Sequence, residues 1–187
     1  MPEWKGSDVR LALYEPDIAQ NTGTMLRMAA CLGIEVDLIE PAGFVLTDKG
    51  LRRAGLDYLP AALVTRHACF ADFEIWRRRQ GRRLVLLSTK AAVAYIDFAY
   101  APGDVLMVGR ESAGVPDDVH AGADSRVLIP MRAGMRSLNV AVAAAIVTAE
   151  ALRQTGGFPT ADPGLPGRPT ADFPSKAGPV YGSAHEP

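Results

Sequence analysis

Short apolar runs, each closed by a proline, a glycine or a polar residue, alternate along this chain with stretches whose apolar positions recur every three to four residues. The first run, Val9 to Tyr14 (VRLALY), ends at Glu15-Pro16 and reads as a buried strand. The segment NTGTMLRMAACLG follows, where Met25, Met28, Ala29 and Leu32 share one helical face. Asn21 or Thr22 is its expected N-cap and Gly33 its stop. Glu35 to Pro41 reads as a second strand, again closed by proline. Further strands are predicted at Ala61 to Thr65, Leu84 to Ser88, Asp104 to Gly109 and Arg126 to Pro130, with helices at Phe70 to Arg79 and Asn139 to Gln154. Strands alternating with helices predict an α/β domain whose mostly parallel sheet is flanked by helices. Ligands in such folds bind outside the carboxyl ends of the strands, which makes the strand-to-helix loops the places to search.

The pattern stops at Gly156. From there to Pro187 the chain holds seven prolines and six glycines in 32 residues, with no apolar period. Such a stretch cannot bury enough surface to offset its ordering entropy, so residues 1–155 are expected to form the domain and 156–187 a flexible tail. With 187 residues, 48% hydrophobic and 22% charged, the composition is that of one globular domain. The net charge of −1 excludes a protein that coats nucleic acid through overall basicity, although local patches could still hold one. Cys31 and Cys69 are lone cysteines, and His67, His120 and His185 are scattered, which argues against a metal site and suits a reducing compartment. The opening MPEWKGSDVR lacks an apolar h-region and no run approaches membrane-spanning length, so a cytoplasmic protein is expected.

Three strand-to-helix junctions carry unusual polar content. In EPDIAQNTGTMLR, Asn21 stands at a helix entrance and Arg27 lies six residues on. On the residues alone the preferred reading is a cap and a snorkelling arginine. In VGRESAGVP, Gly109 and Gly114 flank Glu111 and Ser112. The spacing is neither the Gly-x-Ser-x-Gly of a nucleophile elbow nor a phosphate loop ending in Gly-Lys-Ser/Thr, and a plain glycine-rich turn competes with a site loop. In IPMRAGMRSLN, Arg132 and Arg136 precede Ser137 and Asn139 at the start of an alanine-rich helix. A solvated loop with a cap competes there with an anion-attracting helix entrance. All three lie where an α/β fold gathers its site. Without metal clusters, phosphate loops or a serine triad, the chemistry left is one that depends on positioning more than on a strong nucleophile.

In order and content, NTGTMLRMA, MVGRESAGVP and IPMRAGMRSLNVAVAAA resemble the three motifs of the SPOUT superfamily of S-adenosylmethionine-dependent RNA methyltransferases. With LYEPDIAQNTG, IEPAGFVLTDKGLRRAGLDY and the closing EALRQ, the chain is most similar to the single-domain tRNA ribose methyltransferases that modify the wobble cytidine or uridine, position 34, of leucine tRNAs. The resemblance spans about Val9 to Gln154. It implies a deep trefoil knot in the C-terminal part of the sheet, a homodimer with the RNA site across the subunit interface, and the tRNA anticodon stem-loop as partner. It also implies that Leu87, Gly109, Ile129, Ser137 and Leu138 bind the cofactor, and that Asn21, Arg27, Glu111 and Asn139 are the catalytic positions. Two positions depart from the family pattern: Ala141 stands where relatives often carry serine, and Ala149 replaces a frequent tyrosine.

The reaction implied is displacement of a sulfonium-bound methyl group by a ribose 2′-hydroxyl. Orientation alone can supply about 7–11 kcal/mol of such a barrier in favourable cases. Because an arginine guanidinium stays protonated, the preferred role for Arg27 is to orient the hydroxyl and stabilise developing alkoxide charge, with removal of its proton as the alternative. Lys49, Arg52, Arg53, Arg132 and Arg136 are the expected phosphate contacts. The more basic run WRRRQGRR reads first as a solvated helix end. The competing functions are a SPOUT methyltransferase for another tRNA or rRNA position and a non-catalytic knotted RNA-binding factor.

Overall fold

The computed structural model describes residues 7–45 and 64–159. Seven strands, β1 (Arg10–Tyr14), β2 (Glu35–Ile39), β3 (Val64–His67), β4 (Leu84–Leu87), β5 (Val93–Ala94), β6 (Val105–Val108) and β7 (Ser125–Leu128), form one sheet in the order β3-β2-β1-β6-β4-β7-β5. Every pairing is parallel. Four helices, α1 (Ala19–Leu32), α2 (Phe70–Arg79), α3 (Asp117–Gly122) and α4 (Val140–Thr155), complete the described part. The expected α/β class with a parallel, helix-flanked sheet is what the chain forms.

The sheet is covered on both faces, which is why its strands are nearly continuous apolar runs. Successive side chains alternate between the faces. Leu11 and Leu13, Val85, and Leu106 and Val108 pack with Met25, Leu26 and Ala29 of α1 and with Ala144, Val147 and Ala151 of α4. Ala12 and Tyr14, Leu84 and Leu86, and Val105 and Met107 pack with Phe73 of α2 and Val119 of α3. Each fully buried leucine in these layers contributes roughly 1.5–3 kcal/mol over its exposed state.

One buried layer is polar. Arg10 Nε donates to Asp37 Oδ2 at 2.7 Å and its Nη2 to Oδ1 at 3.1 Å, while His67 Nε2 lies 2.9 Å from the same Oδ1. All three residues are buried beneath α2, where the Arg10 guanidinium lies 4.8 Å from the Trp76 ring. The charge on Asp37 is tolerated there because arginine neutralises it through two hydrogen bonds. The basic run predicted as a solvated helix end is largely neutralised: Arg77 pairs with Glu74 and Asp124, Arg78 with Glu74, Arg82 with Asp8 and Arg83 with Asp104.

Several boundaries differ from expectation. Helix α1 starts at Ala19, so Asn21 and Thr22 lie inside its first turn and neither is the N-cap. Ile18 takes that position without a side-chain cap. The strand expected at Ala61 to Thr65 is observed at Val64–His67, its first expected residues lying outside the described part. The short β5 and α3 were not foreseen. Helix α2 runs over Phe70–Arg79 as predicted, and Gly33 and Gly156 end α1 and α4 in the left-handed conformation with φ of 63° and 66°. The expected tail lies, from residue 160 on, outside the described residues.

Candidate active site

Chain order along the sheet reverses beside β1, with β2 on one side and β6 on the other, and the register aligns Leu13 with Val108 at the carboxyl ends. A crevice opens at such a switch point. Here it is a cavity of about 610 Å³, formed by the ends of β4, β6 and β7 and by the first turns of α1 and α4. That volume lies in the usual range of small-molecule sites, roughly 300–1,000 Å³.

Eight of the residues singled out from the sequence line this cavity: Asn21, Leu87, Gly109, Glu111, Ile129, Ser137, Leu138 and Asn139. Arg27 lies further along α1, exposed, and is not among the lining residues. Arg132 and Arg136 are exposed on the loop that leads to α4, also outside the lining. Lys49, Arg52 and Arg53 fall outside the described residues.

The polar wall is a relay of side chains from three elements. Asn139 caps α4, its Oδ1 accepting from the amides of Ala141 at 2.9 Å and Val142 at 3.3 Å. Its Nδ2 donates to Asn21 Oδ1 at 2.9 Å, and Asn21 Nδ2 donates to Glu111 Oε1 at 3.0 Å. The other carboxylate oxygen of Glu111 accepts from the Asp17 amide at 3.1 Å, just before α1. Glu111 thereby ties the residue that precedes the Ile18 N-cap, from 94 residues away, and its carboxylate lies near the favourable end of the helix dipole.

Asp17 returns the interaction. Its carboxylate accepts from the amides of Glu111 at 3.0 Å and Ser112 at 3.3 Å and from the Ser112 hydroxyl. The amides of Glu111 and Ser112 and the Ser112 hydroxyl, all donating to it, hold the Asp17 carboxyl below its ordinary value against the opposing effect of burial. Arg110 of the same loop pairs with Glu15, which adopts a φ of 41° at the end of β1. The sequence reading missed Asp17. The available signal was an acid directly after a strand-closing proline, opposite a glycine-flanked loop.

Gly109 has a steric reason to be glycine. A Cβ there would lie 2.6 Å from the carbonyl carbon of Gly114, because Arg110 and Gly114 close the loop by mutual backbone hydrogen bonds of 3.0 and 2.8 Å. The opposite walls, at Leu87, Val108, Ile129 and Leu138, are apolar. The lining also includes Ser88, Thr89, Lys90 and Arg110, so the cleft offers apolar surface beside charged groups of both signs, which suits a ligand with an apolar or aromatic body and polar, charged ends. No group of three or more metal-ligating side chains occurs among the described residues.

Fold and cavity together define a parallel α/β protein that binds a small molecule at the carboxyl ends of its strands. The chain belongs to the SpoU rRNA Methylase family, which matches residues 8–149. It is 62% identical over 148 residues to a tRNA (cytidine(34)-2'-O)-methyltransferase of Ancylobacter novellus, covering 79% of this chain and 94% of that protein. A structure solved for insights into the 2-OH methylation of C/U34 on tRNA superposes with a TM-score of 0.73 at 40% identity, over 78% of this chain and 95% of the other. An AdoMet-bound rRNA methyltransferase of Sinorhizobium meliloti superposes with a TM-score of 0.72 at 28% identity, over 80% of this chain and 57% of the other.

Proposed function

We propose that this protein transfers a methyl group from S-adenosylmethionine to the ribose 2′-hydroxyl of nucleotide 34, cytidine or modified uridine, in leucine tRNAs. The observation that carries this reading is the Asn139–Asn21–Glu111 relay on the wall of a cavity of cofactor size, in a chain so similar to a tRNA (cytidine(34)-2'-O)-methyltransferase. The cofactor supplies an activated methyl group on a sulfonium. Leu87, Gly109, Ile129, Ser137 and Leu138 hold it in the cavity, and Gly109 keeps the 109–114 loop tight enough to form one wall. Glu111 places negative charge on the same cavity, complementary to a cation. Asn21 and Asn139 fix the orientation of Glu111 and the spacing between α1 and α4.

Arg27 orients the ribose and stabilises the charge that develops on its oxygen; it stays protonated. The C–S bond breaks as the C–O bond forms, S-adenosylhomocysteine leaves as the neutral sulfide, and the hydroxyl proton passes to solvent water. Arg132 and Arg136, on the exposed loop at the cavity mouth, contact phosphates together with Lys49, Arg52 and Arg53. In this reading the C-terminal part of residues 1–155 is tied as a deep trefoil knot, and the protein works in the cytoplasm. Two copies form a homodimer that binds the anticodon stem-loop across their interface. Exposed Ile18, Met135, Leu138 and Val142, close to the cavity, support that assembly.

Calorimetric titration with S-adenosylmethionine, followed by transfer of labelled methyl to leucine tRNA, tests the reading. Saturable binding and a methylated ribose support it. Absence of cofactor binding would leave a knotted RNA-binding factor, and transfer only to rRNA would leave a different target.

A further inference from the structure

We propose that Asp17 is a positioning residue for methyl transfer, holding Glu111 and the 109–114 loop in their working geometry and locking them to the helix that carries Arg27. The inference rests on the functional reading above and concerns a residue to which the sequence reading gave no role. Asp17 and Glu111 form a reciprocal clasp. The Asp17 carboxylate accepts the Glu111 and Ser112 amides and the Ser112 hydroxyl, while the Glu111 carboxylate accepts the Asp17 amide. A loop carboxylate with two to three donors aimed at it is held far more firmly than one with a single partner.

Three further features fix Asp17 itself. Gly43 packs so closely that a Cβ on it would lie 2.8 Å from Asp17 Cβ and 2.9 Å from its Cα. The Gly43 amide donates to Pro16 O at 2.9 Å, anchoring the residue before Asp17. The Arg110–Glu15 ion pair ties the two loops together a second time. Asp17 therefore stands on a rigid stretch, and the 109–114 loop is the partner it positions. Because Glu111 also holds Asn21, and Asn21 holds Asn139, one carboxylate sets the arrangement of α1, the glycine loop and α4 around the cavity.

Asparagine at position 17 retains the size but offers only one acceptor oxygen to three donors. Asp17→Asn is expected to speed hydrogen exchange at the Glu111 and Ser112 amides in the cofactor-free protein at least tenfold. It is expected to lower kcat at least tenfold while KM for tRNA stays within threefold, and Asp17→Glu should recover most of the kcat. If Asp17 acts through Glu111, the double variant Asp17→Asn/Glu111→Gln should be no slower than Glu111→Gln alone. Should Asp17→Asn not fold, Ser112→Ala removes one of the three donors and takes its place in the same cycle. Multiplying effects in the cycle, or wild-type kcat in Asp17→Asn, would overturn the proposal. Absence of transfer to nucleotide 34 by the wild-type protein would instead count against the functional reading, and the exchange measurement would still decide whether Asp17 holds the loop.

Discussion

The sheet carries two carboxylate networks, built to opposite ends. In the β1–β2–β3 half, Asp37 is fully buried between Arg10 and His67 and roofed by Trp76. At the carboxyl ends of β1 and β6, Asp17 meets Glu111, which lines the cavity, and every group in the relay from Asn139 to Ser112 lies at a strand end or a helix start. The first network lies apart from the residues that line that cavity and rigidifies the core. The second spends the same kinds of hydrogen bond on holding loops in place around open space. Burial with full satisfaction marks a structural charge, and satisfaction beside a cavity marks a working one.

The largest effect expected from breaking this contrast lies in the closed network. Asp37→Ala removes both hydrogen bonds from the buried Arg10 guanidinium to its fully buried partner. It leaves Arg10 only the half-exposed Glu35 as an ion pair, so equilibrium unfolding in urea should show a loss of about 3 kcal/mol. The remaining folded fraction should bind S-adenosylmethionine with unchanged affinity. Arg27→Ala should do the reverse: methyl transfer falls about 10²–10³-fold, the usual consequence of removing a group that stabilises transition-state charge, with the melting temperature and cofactor affinity unchanged. Gly109→Ala forces the loop off Gly114 and should weaken cofactor binding about tenfold or more in calorimetry, since overpacking costs about 1–3 kcal/mol.

A smaller effect follows from pH. The Asp17 carboxyl is lowered from 3.8 to about 2 in the folded protein, so its stabilising contribution is complete above the unfolded value and is lost only as pH falls through about 2. Hydrogen-exchange protection at the Glu111 and Ser112 amides, corrected for intrinsic rates, should therefore stay constant between about pH 7 and pH 5. Smallest of all is Arg78→Ala, which removes an exposed partner of Glu74 from the basic run; tRNA affinity in filter binding should change less than about twofold.

Much of the scaffold was legible from local pattern. Buried strands such as Leu84–Leu87 and Val105–Val108 announce themselves as apolar runs closed by polar or glycine residues, and the bounds of α2 followed from periodicity. The strand-end rule led to the loops that line the cavity. What local pattern could not reveal depends on residues far apart in sequence. Asn21 serves α1 as a side-chain partner of Glu111 rather than as its cap, and Asp17 matters because of amides 94 and 95 residues away. The buried Arg10–Asp37–His67 layer was hidden for the same reason, each residue reading singly as a polar interruption of a strand. Strand β5, two residues long, is too short to carry a period.

The most direct measurement is mass-spectrometric mapping of leucine tRNA after incubation with the purified protein and S-adenosylmethionine. The account predicts one added methyl group, on the ribose of nucleotide 34, in the wild-type reaction and almost none with Arg27→Ala. A methyl group on a base, at another nucleotide, or absent from tRNA altogether would contradict it.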